Sequence, residues 1–395
     1  VLLKTFNIAK KVGQAILPRM KFSLVFAIFF LLGFSAVAQV DIEHRRTLEV
    51  QTGMAVYHSE EDLNGFGYFW FNEDRFPWTN TALRVIYAGV FLDTELSYYV
   101  AGNTNTAIGA GLDGGLYLGN VTPYVDGERL AQQTFDGDGF GGHVFINQTI
   151  PNPTPLPLNF RATYSVYKNF FRNSSTTKHF ILPSDYYEQG GEIEMRWGGI
   201  EPGLLNKRGL ELHVWADANY RSGFDAFGTT GTNAVVLGHK SDYQRVFGTL
   251  GARIPVGGVT PSARVFAGAG NNIDELSAWK LGGNLVNTEP YSYTLHGYYL
   301  KEFLVDRFVA ANLALSVPVE SKRKIAVHFY GDWAVARGVL PLATEYHNYF
   351  GTGAGVSFRG PWNSDVLLSY GYGFNALRNG DHGGHEVALG VEKEF

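Results

Sequence analysis

The sequence predicts an all-β fold, a sixteen-stranded antiparallel transmembrane barrel, on three observations. Apolar and polar residues alternate with period two along most of the chain, which is the strand period and not the helical one. Breaks between the alternating stretches are short and long in turn, as in barrels with tight turns at one rim and extended loops at the other. Charged residues make up only 17% of the 395 residues, while Gly (48), Phe (29), Tyr (22) and Trp (7) are abundant, which suits strands with one apolar face and aromatic girdles. The net charge of -5 comes without a basic block, so there is no electrostatic footprint for a nucleic-acid partner. With no cysteine, a disulfide framework, thiolate metal sites and thiol catalysis are excluded.

Residues 1–38 are expected to stand outside the barrel, as an upstream extension followed by a cleaved signal peptide at 20–38 (MKFSLVFAIFFLLGFSAVA). Arg19 and Lys21 supply the basic start, Phe22 to Phe34 the apolar run, and Ala36-Val37-Ala38 the small-residue cleavage site. That run is shorter than the ~20 residues a spanning helix needs. Residues 39–395 are then the barrel.

Strands are predicted at 47–57, 64–72, 81–91, 94–101, 106–118, 140–150, 157–170, 187–199, 209–220, 243–255, 260–270, 306–318, 323–336, 350–358, 364–374 and 385–395. Residues 82–100 contain no strong turn signal and also read as one long strand. Short breaks fall at 102–105, 151–155, 256–259, 319–322 and 359–363, and long ones at about 120–139, 171–186, 222–241, 271–305 and 338–348. A soluble sandwich would share the alternation but not this spacing. Ile325, Val327, Phe329, Trp333 and Val335 are assigned to the lipid face, and Lys324, Ala326, His328, Tyr330 and Asp332 to the lumen. In the same way Leu210, Leu212, Val214 and Ala216 face lipid, with Glu211, His213, Trp215 and Asp217 inside. The last strand sets Val387, Leu389, Val391 and the terminal Phe395 against Glu386, Ala388, Gly390, Glu392 and Glu394, and Phe395 has the form of a barrel insertion signal.

Five features appear in order toward the C-terminus. Leu281-Gly282-Gly283 is followed by Leu295-His296-Gly297-Tyr298-Tyr299, and then Val305-Asp306-Arg307-Phe308 leads into a strand. HFYGDWA places Tyr330 and Asp332 on the predicted lumen face, and Gly351 to Phe358, Gly360-Pro361 and Leu368-Ser369-Tyr370-Gly371 close the series. In these features the last 115 residues or so resemble the BamA/TamA (bacterial surface antigen) superfamily of outer-membrane assembly barrels. Tyr57 to Tyr68 is a fainter likeness to the opening hairpin of these barrels.

The resemblance implies a long sixth external loop folded into the lumen, with its tip, Leu295, His296, Gly297 and Tyr298, reaching Asp332. The family carries Arg at the position of His296, so the pairing is expected to be weaker and more sensitive to pH. Family members also carry long periplasmic repeats, and 39–46 leaves about eight residues before the first strand, as in the branch without them. Membrane insertion or translocation of proteins or lipids in the bacterial outer membrane is the implied function, with a weak seam between first and last strands. The alternative is a passive pore or structural barrel that has lost assembly function. Outer-membrane lipid, client proteins or lipids and a separate periplasmic partner are the implied partners.

No enzymatic activity, cofactor or metal is expected. Asp381-His382-Gly383-Gly384-His385 offers two His and an acid, but reads as a solvated external loop, because ligation needs three or four converging groups. GAGLDGGLYLG at 109–119 precedes no helix and is read as strand, not as a phosphate loop. Glu192, Glu194, Glu211 and Asp217, with Arg161 and Arg196, are expected to form a paired or solvated network inside the barrel.

Overall fold

The computed structural model describes residues 46–57, 64–89, 91–100, 105–154, 156–173, 176, 179–199, 209–229, 236–237, 240–283, 292–321, 324–339, 345–378 and 380–395. The signal peptide, most of the turn predicted at 102–105 and most of the opening hairpin loop lie outside these residues.

Sixteen strands build the wall. They are β1 (Thr47–Tyr57), β2 (Asn64–Asp74), β3 (Thr81–Ala88), β4 (Phe91–Tyr99), β5 (Thr106–Val121), β6 (Phe135–Ile150), β7 (Leu158–Asn173) and β8 (Tyr186–Gly198) in the first half. The second half holds β9 (Gly209–Ser222), β10 (Asp242–Arg253), β11 (Thr260–Asn271), β12 (Phe303–Glu320), β13 (Ile325–Gly338), β14 (Tyr346–Arg359), β15 (Asp365–Arg378) and β16 (Asp381–Glu394). Each strand pairs antiparallel with the next, from β1–β2 through β15–β16. The barrel closes where β16 returns to β1, in register from Glu49↔Glu394 to Tyr57↔Glu386. Closure leaves no unpaired edge, the condition for a sheet in hydrocarbon.

The alternation sorts each strand as the period requires. Leu112, Ile193, Leu313, Phe329 and Val387 are exposed on the outer face. Glu95, Asp113, Glu211, His328, Asp332 and Glu386 are buried on the inner one.

Boundaries differ from the sequence reading where glycine and acid imitate a loop. The strand β6 begins at Phe135, not 140: its FDGDG start pairs with β7 from Phe135↔Asn173 onward. The strand β16 begins at Asp381, not 385, so Asp381 to His385 lies in the wall and not in a solvated loop. Between β3 and β4 the chain turns at Gly89, whose φ of 65° suits glycine, and residues 82–100 are two strands.

At the rim where the long loops emerge, Phe135 of β6 clusters with Phe180, Phe224, Phe227 and Leu276. Arg221 at the end of β9 is buried beneath them, donating to Asp274 at 2.6 Å and to Glu188 at 2.9 Å. Asp274 also caps its own turn, accepting from Ser277 N and Oγ at 3.0 and 2.8 Å.

Across the β1–β16 seam the inner-face pairs are poor in attraction. Glu49 stands opposite Glu394, Gln51 opposite Glu392, Gly53 opposite Gly390 and Ala55 opposite Ala388. Like charges and small residues directly opposite one another contribute little or are unfavourable. The register itself is testable in a chain without cysteine. Gln51→Cys with Glu392→Cys should form a disulfide on mild oxidation of the folded barrel, and Gln51→Cys with Ala388→Cys should not. A crosslink from the second pair and not the first, read by gel mobility, would show a slipped seam.

Candidate functional site

Between β11 and β12 the chain makes its longest excursion, and it turns inward. Trp279–Leu281 pairs with the upper end of β12, from Trp279↔Val305 to Leu281↔Phe303, and Ser292–Tyr293 runs parallel beside it. What draws this limb to the wall is an aromatic inner surface. Trp215, Phe247, Phe266 and Phe308, from β9 to β12, are all buried and pack with Trp279, Leu281, Leu295 and Tyr298 of the loop. The Tyr293 ring lies 5.2, 5.0 and 5.2 Å from Phe247, Phe266 and Phe308. Burying side chains of this size contributes on the order of 2 kcal/mol each, enough to hold a loop against its lost entropy.

The tip then crosses to β13–β16. The His296 backbone N–H donates to Asp332 Oδ2 at 2.9 Å, and its ring Nδ1 lies 2.5 Å from the same oxygen. Asn312 on β12 donates to Asp332 Oδ1 at 2.6 Å and to Thr294 O at 3.1 Å. The imidazole stacks on Tyr330, with centroids 4.7 Å apart. Gly297 N–H donates to Glu386 Oε2 on β16 at 2.8 Å, and the Tyr298 hydroxyl donates to Phe350 O on β14 at 3.1 Å. Leu295, His296 and Tyr298 are all buried.

Such close approach requires bare backbone. Gly297 has φ 82°, and a Cβ there would stand 2.0 Å from Gly373 N. Across the contact, a Cβ on Gly384 would stand 2.1 Å from Gly297 O, and one on Gly351 2.6 Å from His296 O. The glycines of β14, β15 and β16 are therefore the seat of the loop tip.

The returning limb is held by a second buried pair. Arg378 on β15 donates from Nη1 and Nη2 to Glu302 Oε1 and Oε2 at 2.9 and 2.8 Å, and its guanidinium lies 3.6 Å over the Tyr299 ring. Glu302 in turn accepts from Tyr299 N–H at 2.8 Å. Tyr299 also packs edge-on against Tyr57 of β1, at 6.1 Å. Tyr57 and Glu386 face one another across the seam. The loop tip thus touches both sides of the closure.

Burial alone would lower the His296 pKa, but the charge of Asp332 and its hydrogen bond override that, aided by Glu386, and raise it above the ordinary 6.5. In the turn after β11, burial, and then the charge of Asp274, push the Glu275 carboxyl up to about 8.

The structure brings Leu295, His296, Gly297, Tyr298 and Asp332 together. Phe395 is exposed beyond β16, its N–H donating to Leu48 O at 2.9 Å. Of the acids expected in the lumen, Glu211 pairs with Arg196 at 2.9 Å, Glu194 with His213 at 2.9 Å and Asp217 with Arg245 at 2.5 Å. Arg161 pairs with Glu95 at 2.5 Å. His382 and His385 are both exposed, His385 Nδ1 lies 2.6 Å from the Tyr370 hydroxyl, and the Asp381 to His385 stretch forms no ligand group among the described residues. Asn312, Glu302, Arg378 and Glu386 were not singled out from sequence. Aromatic residues on lumen-facing positions of β9–β12 were the available signal that something covers that wall.

No protein-family profile matches the sequence, and no curated protein matches it in sequence. Solved structures do match in fold. BamA from Haemophilus ducreyi lacking POTRA domains 1-3 superposes with TM-score 0.56 at 13% identity, over 89% of this chain and 71% of that one. CdiB from Escherichia coli gives 0.52 at 11% identity over 87% and 63%, and CdiB from Acinetobacter baumannii gives 0.50 at 8% over 88% and 60%. This is the BamA and CdiB barrel fold. The chain spans about three fifths of the length of the two CdiB proteins and somewhat more of the BamA fragment.

A BamA-like barrel with His at the loop tip should show a titratable clamp. Docking raises the His296 pKa, so the stabilisation is complete below the undocked value of about 6.5 and is lost as pH rises through the docked one. Protease cleavage of the loop in folded protein should therefore increase at alkaline pH, and His296→Arg should flatten the profile. Asp332→Asn should cost about 3 kcal/mol of docking at low pH, where it removes a buried charge from a charged partner. A wild-type profile no different from that of His296→Arg at any pH at which the barrel stays folded would remove the imidazole charge from the clamp.

Proposed function

We propose that this protein acts in the bacterial outer membrane as an assembly or translocation barrel, moving client proteins or lipids into or across the bilayer. The observation that supports this reading best is that the loop tip engages Glu386 of β16 directly and Tyr57 of β1 through Tyr299. A loop that only narrowed a pore would have no need to reach the closure. One that braces a seam poor in attraction on its inner face can couple lumen occupancy to seam opening. Clients entering laterally would exchange β1–β16 pairing for pairing with their own strands, a transaction in backbone hydrogen bonds that requires no catalytic residue. Outer-membrane lipid, client barrels or lipids, and a separate periplasmic partner are the partners in this reading.

Two measurements test it. In planar bilayers the intact chain should give low, flickering conductance, and deletion of Leu295 to Tyr299 should give large, steady conductance. Large steady current from the intact chain would favour a passive pore instead. In proteoliposomes carrying the Gln51→Cys/Glu392→Cys pair, oxidation should stop client insertion and reductant should restore it. Insertion unaffected by a closed disulfide would rule out lateral release through this seam.

A further inference from the structure

A second cluster lies on the inner face of β4, β5 and β6, away from the loop tip. One carboxylate oxygen each from Asp93 and Asp113 and one ring nitrogen of His143 lie within 4.8 Å of one another. His143 Nδ1 is 2.9 Å from Asp113 Oδ2, and Nε2 is 2.9 Å from Glu95 Oε1. A neutral imidazole carries a single N–H. When Nε2 donates to Glu95, Nδ1 presents a lone pair to the Asp113 carboxylate, and either a second ring proton or a cation has to stand between the two acceptors.

The Asp93 and Asp113 carboxyls also face one another within hydrogen-bonding reach, so a proton or a cation has to stand between them. Asp93 Oδ1 is buried with no donor among the described residues. Three acceptors on neighbouring strands thus converge on one point.

Around them stands an orienting shell. Arg84 donates to Asp93 Oδ2 at 3.0 Å and lies 2.8 Å from Glu95, Arg161 donates to Glu95 at 2.5 Å, and the Tyr167 hydroxyl donates to Asp113 Oδ2 at 2.7 Å. A carboxylate on the distal nitrogen of a ligating histidine is the arrangement that fixes its tautomer for metal binding. The cluster opens onto a lumenal cavity of about 350 Å³, lined by seven carboxylates and five fixed cations. With His143 neutral, carboxylates outnumber fixed cations by two around this cavity, and by one in the cluster itself, where Asp93, Glu95 and Asp113 meet Arg84 and Arg161.

We propose that Asp93, Asp113 and His143 bind a first-row divalent cation of the zinc class, with water from the cavity completing the coordination. One imidazole and two carboxylates without thiolate suit Zn²⁺ and exclude a soft monovalent ion. Bound there, the ion would join β4, β5 and β6 through side chains as well as through their ladders.

The test uses the full chain folded in detergent, stripped with chelator and titrated with ZnCl₂ by calorimetry. One ion per chain should bind, and the same ion should raise the melting temperature. His143→Gln and Asp93→Asn, both near-isosteric, should each weaken binding at least tenfold while keeping the heat-modifiable gel mobility of a folded barrel. His382→Ala with His385→Ala should leave binding unchanged. No saturable uptake by the intact chain would overturn the proposal without recourse to variants, and would mean that a proton on His143 bridges the acids. Uptake that survives His143→Gln but vanishes with His382→Ala and His385→Ala would overturn it equally.

Discussion

A carboxylate buried in a barrel wall must be surrounded by donors, and at Asp332 that requirement organises the interior. Its side chain is almost wholly buried and takes donors from three sources: the His296 backbone, the His296 ring and Asn312. Removing such partners would leave a charge whose desolvation penalty is several kcal/mol. The wall cannot provide all of them, because neighbouring strands have spent their backbone groups on the ladder. Two of the three come from the loop tip, so an unfilled lumen would leave this strand unsatisfied. Glycines 351, 373 and 384 follow from the same constraint, since a side chain at any of them would hold the tip off its acceptors.

Apart from its tip, the loop is fixed at three heights, by charged groups at two of them and by stacked rings at the third. Near the long-loop end, Arg221 and Arg245 tie Asp274 and Ser277 to the wall. Midway, stacked rings from β9 to β12 take up the descending limb. At the return, Glu302 and Arg378 form a pair that is 3% and 1% exposed by side chain, low enough that breaking either half strands the other. Ionic, aromatic and backbone contacts fail under different conditions, and no single change of pH or salt releases all of them.

Strand positions were legible because the two solvents of a barrel wall, lipid and lumen, impose period two on every strand. That is why β9 and β13 divide into faces as read. Boundaries were less legible where the same residues serve loop and strand: Asp136 to Gly139 has turn composition, yet β7 places a residue opposite each of them. His296 and Asp332 became visible only through the resemblance of the loop-six motif. Glu302 and Arg378 stand 76 residues apart with nothing local to connect them, and their pairing exists only once the barrel has closed. Trp215, Phe247, Phe266 and Phe308 broke the rule of a polar lumen, and the breach marks the surface that the loop covers.

Histidine in place of arginine at the tip changes what the brace can do. An arginine keeps its charge at every attainable pH and presents a planar fork, so it holds its acid unconditionally. An imidazole offers one nitrogen to Asp332 and spends its face on Tyr330. The backbone N–H of His296 makes its bond whether or not the ring is charged. Deprotonation therefore loosens the tip by only part of its attachment, while Gly297 still holds Glu386 and Tyr299 still meets Tyr57. Such a brace is graded: it can yield at Asp332 before it yields at the seam. In the proposed assembly role that order is an advantage, because a lumen that relaxes ahead of its closure can admit a client segment without first losing the wall.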